Sequence, residues 1–334
     1  MKIKLLIFAA CIVGALNASQ LKSDEYVMFI PNIAYDSSNG TIEAEVRAYV
    51  YEKEMRLGVT TALVSLLDID MDNLSAVEKQ RVYARSALFR IDFEGDKDFS
   101  VKFEDESLAK MPKTIDGKSS ATVKLKKTDK PKHEITFEVY KSKYPKNTQK
   151  GSVFYAADEG VSAVFDIDDT VKDSNVLDKK ALLINTFVNE YKKVGNIQDI
   201  FDLTKNMHAD SYHYVSASPV QLYPALKSFF EKEGFPRGSF HLRDTTDLSD
   251  FIADKETTIS HKKTNIEKLF KSYPKRKFIL VGDSGENDPE IYADLTRKYP
   301  DKVLRIIIRD LTKDNEARFK ETFKGIDKNK ISFF

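Results

Sequence analysis

The sequence predicts an α/β protein: a doubly wound parallel sheet preceded by a small β-rich domain. Three observations carry this. From residue 161 onward, short apolar runs alternate with segments of helical spacing, the pattern of a parallel sheet covered on both faces. Three of those runs end in reactive side chains, at Asp166, Ser216 and Asp283, and ligands of such sheets bind at the carboxyl ends of the strands. Residues 20–150 instead carry brief runs of period-two alternation, as half-buried strands do.

Taken in order, Met1 to Ala18 has lysines at positions 2 and 4, an apolar stretch from Leu5 to Leu16 and a small residue at Ala18. That is the pattern of a secretory signal peptide, with a cut after Ala18, and it places the chain outside the cell or in the secretory lumen. The single cysteine, Cys11, lies inside this segment. The mature chain would then rely on its core alone in an oxidising compartment. Asn39-Gly-Thr41 and Asn73-Leu-Ser75 are glycosylation sequons for such a route.

Thr41 to Tyr51 alternates small or apolar with polar residues, and similar alternation recurs at Ala87 to Phe93, Phe99 to Phe103, Ala121 to Lys126 and His133 to Tyr140. These strands predict a small antiparallel domain over residues 20–150, interrupted by a helical stretch near Thr60 to Arg85. Within that stretch Asp68-Ile-Asp70-Met-Asp72 mimics a calcium loop, but the loop needs Gly at its sixth position and Glu at its twelfth, and Asn73 and Lys79 stand there. It is assigned no role. Lys124, Lys126, Lys127, Lys130 and Lys132 gather in one segment; they suit either a solvated hairpin connection or contact with an anionic membrane surface. The boundary falls near Tyr144 to Gly151, a polar stretch with both Pro and Gly, so that residues 151–334 form the second domain.

That domain begins with Val161 to Phe165, a run that exits into Asp166-Ile-Asp168-Asp-Thr170. Asp166 and Asp168, two apart, face one side as the strand ends. One carboxylate can attack a phosphorus atom while its neighbour passes a proton to and from the displaced oxygen. Adjacent acids repel unless a cation neutralises them, which implies a hard divalent ion, Mg²⁺. Asp178 to Lys192 then carries Leu182, Leu183, Thr186, Phe187 and Tyr191 at helical spacing. Tyr212 to Pro219 is a strand ending in the hydroxyls of Ser216 and Ser218, with Pro219 suited to the first turn of the helix expected through Glu233. Phe278 to Asp283 is a further strand, and Gly282-Asp283 followed by Asp288 supplies a direct metal ligand plus a carboxylate that orients metal-bound water. Val303 to Ile308 is the last run.

The order D-x-D-x-T, strand-terminal Ser, Lys and G-D-x-x-x-x-D resembles that of the haloacid-dehalogenase-like phosphatases. More narrowly, Asp166-Ile-Asp-Asp-Thr-Val-Lys172, Asn185-Thr-Phe187, His213-Tyr-Val-Ser-Ala-Ser-Pro219, Gln221-Leu-Tyr-Pro224, Gly234-Phe-Pro236, His261-Lys262 and Gly282-Asp-Ser-Gly285 through Tyr292 resemble the catalytic domain of the actin-patch-associated phosphatidate phosphatase family. The resemblance implies a haloacid-dehalogenase-like sheet. It implies Asp166 as the nucleophile that becomes a phospho-aspartate, and Asp168 as the acid that protonates the leaving alkoxide and then activates water. Ser216 would hold a phosphoryl oxygen. Lys262 would neutralise charge on the phosphoryl group, with Lys263 an alternative that spacing leaves open. The implied Mg²⁺ ligands are the Asp166 carboxylate, the Asp168 backbone carbonyl and Asp283, with Asp288 in or near the first shell.

Fifty-three basic residues against 52 acidic leave a net charge of +1, so a nucleic-acid partner is not indicated. Two functional classes fit the sequence. One is a Mg²⁺-dependent phosphomonoesterase, with phosphatidate the substrate implied by the resemblance, peripheral contact with a membrane surface, and another phosphate ester as the alternative. The other is a catalytically idle protein that binds a membrane or partner. The intact set Asp166, Asp168, Ser216, Lys262 and Asp283 favours the enzyme, because an idle site has no physical need for clustered acids.

Overall fold

The computed structural model of the protein describes residues 21–52, 59–89, 91–245, 254–312 and 315–334. The segment read as a signal peptide lies outside the described residues. The described chain gathers into two units, residues 21–52 with 91–156, and residues 59–89 with 157–334.

The first unit is a nine-stranded sheet. Its strands are β1 (Glu25–Phe29), β2 (Asn32–Asp36), β3 (Ile42–Glu52), β4 (Asp92–Phe93), β5 (Ser100–Phe103), β6 (Leu108–Lys110), β7 (Lys118–Leu125), β8 (Glu134–Val139) and β9 (Gly151–Ala156). The long β3 organises it: β2 pairs with its first residues, β1 with its last, and β7 runs antiparallel to it from Ile42↔Leu125 to Tyr49↔Lys118. The pairing is antiparallel except between β2 and β9. Period-two alternation survives most cleanly in β7, where Ser119, Val123 and Leu125 are buried and Ser120, Thr122 and Lys124 are exposed. Phe29, Phe103 and Phe137 join the buried cluster behind the sheet, with Phe137 edge-on to Phe29. In the expected strand at Ala87 to Phe93, Ala87–Phe89 form a short 3₁₀ turn, and among the described residues of that segment only Asp92–Phe93 lie in the sheet. In the lysine-rich segment Lys127 pairs with Asp36 at 2.6 Å and Lys132 with Glu104 at 2.5 Å, as side chains of a solvated sheet do.

The second unit is built on β10 (Val161–Phe165), β11 (Ala209–Pro219), β12 (Ser239–Arg243), β13 (Lys277–Asp283), β14 (Val303–Arg309) and β15 (Ile331–Phe333). All five pairings are parallel, in the order β12-β11-β10-β13-β14-β15. The chain builds the sheet outward from β10 in one direction and then, from β13, in the other. The order therefore reverses between β10 and β13, and a crevice at the carboxyl ends of those two strands is where parallel sheets bind ligands. The core strands are fully apolar: Ala163, Val164, Phe165, Ile279, Leu280 and Val281 are all 0 % exposed. β12 and β15 were not expected. Ser-Phe-His-Leu-Arg carries too many polar residues to read as a buried strand, yet all five residues of β12 are buried.

The helices of this unit are α1 (Val59–Leu67), α2 (Ala76–Ser86), α3 (Lys179–Phe187), α4 (Ile197–Asn206), α5 (Tyr223–Glu233), α6 (Lys255–Ser272), α7 (Asp288–Lys298) and α8 (Glu316–Thr322). Among the described residues no helix is long and apolar enough to cross a membrane. α3 starts where Asp178 accepts hydrogen bonds from the amides of Lys180 and Ala181. Pro219 closes β11 and caps a short 3₁₀ turn, Val220–Leu222, that runs into α5; Pro224 occupies the first turn of α5, which ends at Gly234 in the left-handed conformation (φ 69°).

The helical stretch expected inside the β-rich domain gathers instead with the second unit. α2, begun by a capping box between Ser75 and Glu78, carries Arg85 across to the end of α3. The Arg85 guanidinium donates to the carbonyls of Thr186 (2.9 Å) and Asn189 (2.6 Å) and lies 3.8 Å from the centre of the Tyr191 ring. In the apparent calcium loop, Asp70 accepts from the amide of Asp72 as the cap of a 3₁₀ turn, and Asp68 pairs with Lys180 at 2.7 Å.

Candidate active site

Asp166 is the first residue past β10, and its amide donates to the carbonyl of Val281 on β13 (2.9 Å). The adjoining strand β13 ends in Asp283, so parallel pairing alone sets the two acids side by side. Asp288 enters from the first turn of α7, and its carboxylate accepts from the amide of Asp283 at 3.3 Å. A Cβ at position 282 would collide with the Asp288 carboxylate, which is why glycine stands before Asp283. Oxygens of Asp166, Asp283 and Asp288 all lie within 4.8 Å of one another, and all three side chains are buried.

Lys262 joins them from α6. That helix buries Thr258, Lys262, Ile266, Leu269 and Phe270, one stripe at helical spacing. Its ammonium lies 2.8 Å from Asp166, 2.6 Å from Asp288 and 2.8 Å from Glu286. Lys263, one step around the helix, is exposed and pairs with Asp294 at 3.2 Å. Of the two lysines the sequence left open, Lys262 is the one that reaches Asp166.

Burial pushes the carboxyls of Asp166, Asp283 and Asp288 above the ordinary carboxylate range, and their mutual repulsion adds to it while Lys262 opposes it. Burial alone would depress Lys262, but Asp166, Asp288 and Glu286 outweigh it and hold the ammonium well above its usual value. One ammonium faces four carboxylates here. The unbalanced charge, the all-oxygen donor set and the spacing fit a hard divalent cation such as Mg²⁺.

Asp168 sits apart from this cluster. Its carboxylate accepts from the Ser218 hydroxyl (2.6 Å), the Ser174 hydroxyl (2.7 Å) and, more loosely, the Ser216 hydroxyl (3.4 Å), and pairs with the Lys172 ammonium at 2.7 Å. Burial works to raise its pKa, but the Lys172 charge and these hydrogen bonds prevail and lower it to about 2. Lys172 is itself buried (1 % exposed), hydrogen-bonded to Ser174 and placed 5.0 Å from the centre of the Tyr191 ring. The third acid of the motif, Asp169, is structural. It adopts a left-handed backbone (φ 56°), its carboxylate accepts the amides of Ser174, Asn175 and Val176, and Arg309 binds its carbonyl at 2.7 Å.

A cavity of about 560 Å³ opens beside Asp168. Asp168, Ser216 and Ser218 line it together with Val176, Leu182 and Pro219, so polar and apolar surfaces meet there. Lys179 and Lys255 also line it, as do Glu286, Glu290 and Arg318, the last two paired with each other at 2.7 Å.

Thus Asp166, Lys262, Asp283 and Asp288 form one buried group, while Asp168 and Ser216 meet each other beside it. Lys172, Ser174, Ser218, Glu286 and Arg318 were not assigned from the sequence. Ser218 lies two residues from Ser216 on the same strand, and that period was the available signal. A lysine in the segment after a strand, as Lys172 is, reads by default as a solvated charge.

Residues 161–310 match the family model of the phosphatidate phosphatase APP1 catalytic domain. An uncharacterized protein of Schizosaccharomyces pombe is 34% identical over 164 residues, which cover 46% of this chain and 26% of the relative. The phosphatidate phosphatase APP1 of Saccharomyces cerevisiae is 31% identical over 169 residues, covering 46% of this chain and 27% of the relative. The match thus spans about a quarter of the length of these curated relatives. Residues 161–310, less than half of this chain, are thus similar to the phosphatidate phosphatase APP1 catalytic domain.

Proposed function

We propose that the protein is a Mg²⁺-dependent phosphatidate phosphatase that hydrolyses phosphatidate to diacylglycerol and phosphate through a phospho-aspartate at Asp166. The observation that carries this reading is the pairing of Asp166 with Lys262 at 2.8 Å, inside a group of acids at the reversal point of the parallel sheet. The strand order and the positions of Asp166, Asp168, Ser216, Lys262 and Asp283 support a haloacid-dehalogenase-like sheet. The relative named a phosphatidate phosphatase supports the substrate.

Asp166, Asp283 and Asp288 would hold the ion, with the backbone carbonyl of Asp168. Bound there, Mg²⁺ offsets negative charge on the phosphoryl group and on the clustered carboxylates. The Asp166 carboxylate attacks phosphorus, forming an acyl phosphate as the bond to the glycerol oxygen breaks. Lys262 balances charge on the phosphoryl oxygens, and Ser216 and Ser218 donate to them. Asp168 delivers a proton to the leaving oxygen and recovers one from the water that then attacks phosphorus, releasing phosphate and free Asp166. Asp168 is ionised in the resting site and, when substrate binds, takes up from solvent the proton it delivers. The negative phosphoryl group, by drawing the serine hydroxyls toward itself, raises the affinity of Asp168 for that proton.

A bilayer-resident substrate requires the cavity to work at a membrane surface, because drawing acyl chains into water costs about 0.8 kcal/mol per CH₂. The leader-like pattern of Lys2, Lys4 and Leu5 to Leu16 supports action on the extracellular or luminal side. Phosphate release is measured from phosphatidate in mixed micelles of graded surface fraction, and from lysophosphatidate and an aryl phosphate, each with Mg²⁺ or chelator. Release should need Mg²⁺ and rise with the surface fraction of phosphatidate. Better turnover of the soluble ester at every surface fraction overturns the lipid substrate and leaves a phosphomonoesterase.

A further inference from the structure

The loop that joins Asp283 to Asp288 is held from outside the family-matched residues. Arg318, on α8, lies beyond residue 310. Its guanidinium forks onto Glu290 of α7, with Nε on Oε1 and Nη2 on Oε2, both at 2.7 Å. The same group donates through Nη1 to the carbonyl of Ser284 (2.6 Å) and through Nη2 to the carbonyl of Glu286 (2.8 Å). One side chain therefore ties the start of the loop, its middle and the helix that follows it.

The consequence reaches Asp283 through peptide planarity. The carbonyl of Ser284 and the amide of Gly285 belong to one peptide unit and point in opposite directions. With the carbonyl fixed on Arg318, the amide is aimed at Asp283, and it donates to Oδ1 at 2.7 Å. The amide of Glu286 adds a second bond to the same oxygen at 3.2 Å. Oδ1 is thus occupied, and Oδ2 is left on the side of Thr170 (3.5 Å), whose hydroxyl also reaches Asp166 (3.3 Å). Glu290, the anchor of the fork, lies two residues past Asp288 on the same helical turn.

We propose that Arg318 is a positioning residue of the metal site: it fixes the 284–286 backbone, which turns Asp283 so that one carboxylate oxygen faces Asp166 and Asp288. The inference rests on the metal-dependent reading of the site. It assigns a part in that site to the chain after the matched domain.

The test is Mg²⁺ binding to the full chain by titration calorimetry, with no substrate present. Wild type is compared with Arg318→Ala, Arg318→Lys and Arg297→Ala. Arg297 anchors the end of the same helix, through the carbonyls of Thr322 and Lys324, without touching the loop. Removing a partner that orients a ligand typically weakens metal binding about 10–100-fold, and that is the expected loss in Arg318→Ala. Arg318→Lys keeps the charge but cannot form the fork, so it should stay weakened. Arg297→Ala should bind as wild type, and the kcat of Arg318→Ala should largely recover at saturating Mg²⁺. Undiminished Mg²⁺ affinity in a folded Arg318→Ala overturns the inference, as does an equal loss in Arg297→Ala. Where near-ultraviolet circular dichroism shows Arg318→Ala unfolded, Arg318→Lys decides by the same criterion. A wild type that binds no Mg²⁺ overturns the metal reading, and this inference with it.

Discussion

The ammonium of Lys262 lies 2.8 Å from Asp166, and both side chains are only 1 % exposed. In so dry a setting the charge acts on whatever bonds to Asp166, and its loss is not made good by water. Lys262→Met should lower kcat by roughly 10²–10³-fold, the usual worth of one such electrostatic group. Lys263→Met, removing an exposed partner of Asp294, should leave turnover within about twofold. Steady-state kinetics of the two variants checks this, and equal losses would contradict it.

In the proposed mechanism Asp168 is the proton carrier. Asp168→Asn should keep phosphate binding but lose turnover of alkyl phosphates by about 10²–10⁴-fold. The first step should suffer less with an aryl phosphate, whose oxygen leaves with little need for a proton. Rapid-quench measurement of the first turnover isolates that step. Equal loss for both leaving groups would mean that another group is the acid.

Removing the metal should cost stability in a pH-dependent way. Asp166, Asp283 and Asp288 have their carboxyls raised by burial. Their contribution to stability is full below the unfolded carboxylate range and is lost as pH rises through the raised values. Asp168, lowered to about 2, behaves oppositely, but its contribution is lost only as pH falls below about 4, outside the interval compared. On the proposed reading Mg²⁺ would bind the ionised cluster, so its stabilisation should be large near neutral pH and shrink toward about pH 4.5. At one hundred times Kd it amounts to about 2.7 kcal/mol. Thermal melts with Mg²⁺ and with chelator across that interval check the trend, and a gap that widens on acidification would contradict it.

Arg85 should matter to the second unit although it lies far from the motifs in sequence. Arg85→Ala removes two hydrogen bonds to the carbonyls of Thr186 and Asn189 and the stacking on Tyr191. The expected cost is about 2 kcal/mol. Arg81→Ala, which removes one 3.3 Å contact to Val188, should cost under about 1 kcal/mol. Urea denaturation ranks the two, and the reverse order would contradict the account.

The pattern of what could be read from the sequence is physical. Strands 0 % exposed at Ala163–Phe165 and Ile279–Val281 are legible because nothing polar interrupts them, and the acids that end them mark their carboxyl ends. Lys262 and Lys263 could not be separated by spacing, because which face of α6 turns inward is settled only by what packs on it. Lys172 and Arg318 were illegible for a related reason. Each is a cation whose acceptors, Asp168 for one and the carbonyls of Ser284 and Glu286 for the other, come together only on folding. α1 and α2 follow a strand of the first unit in sequence, so their packing with the second rests on side chains such as Arg85 rather than on any boundary signal.

In the proposed mechanism Asp166 carries the phosphoryl group. The most direct measurement is mass spectrometry of acid-quenched protein after a single turnover of phosphatidate with Mg²⁺. The phosphoryl adduct is expected on the peptide containing Asp166, absent in Asp166→Asn and absent in chelator, with turnover lost in both. An adduct on another residue, or full turnover by Asp166→Asn, would contradict the account.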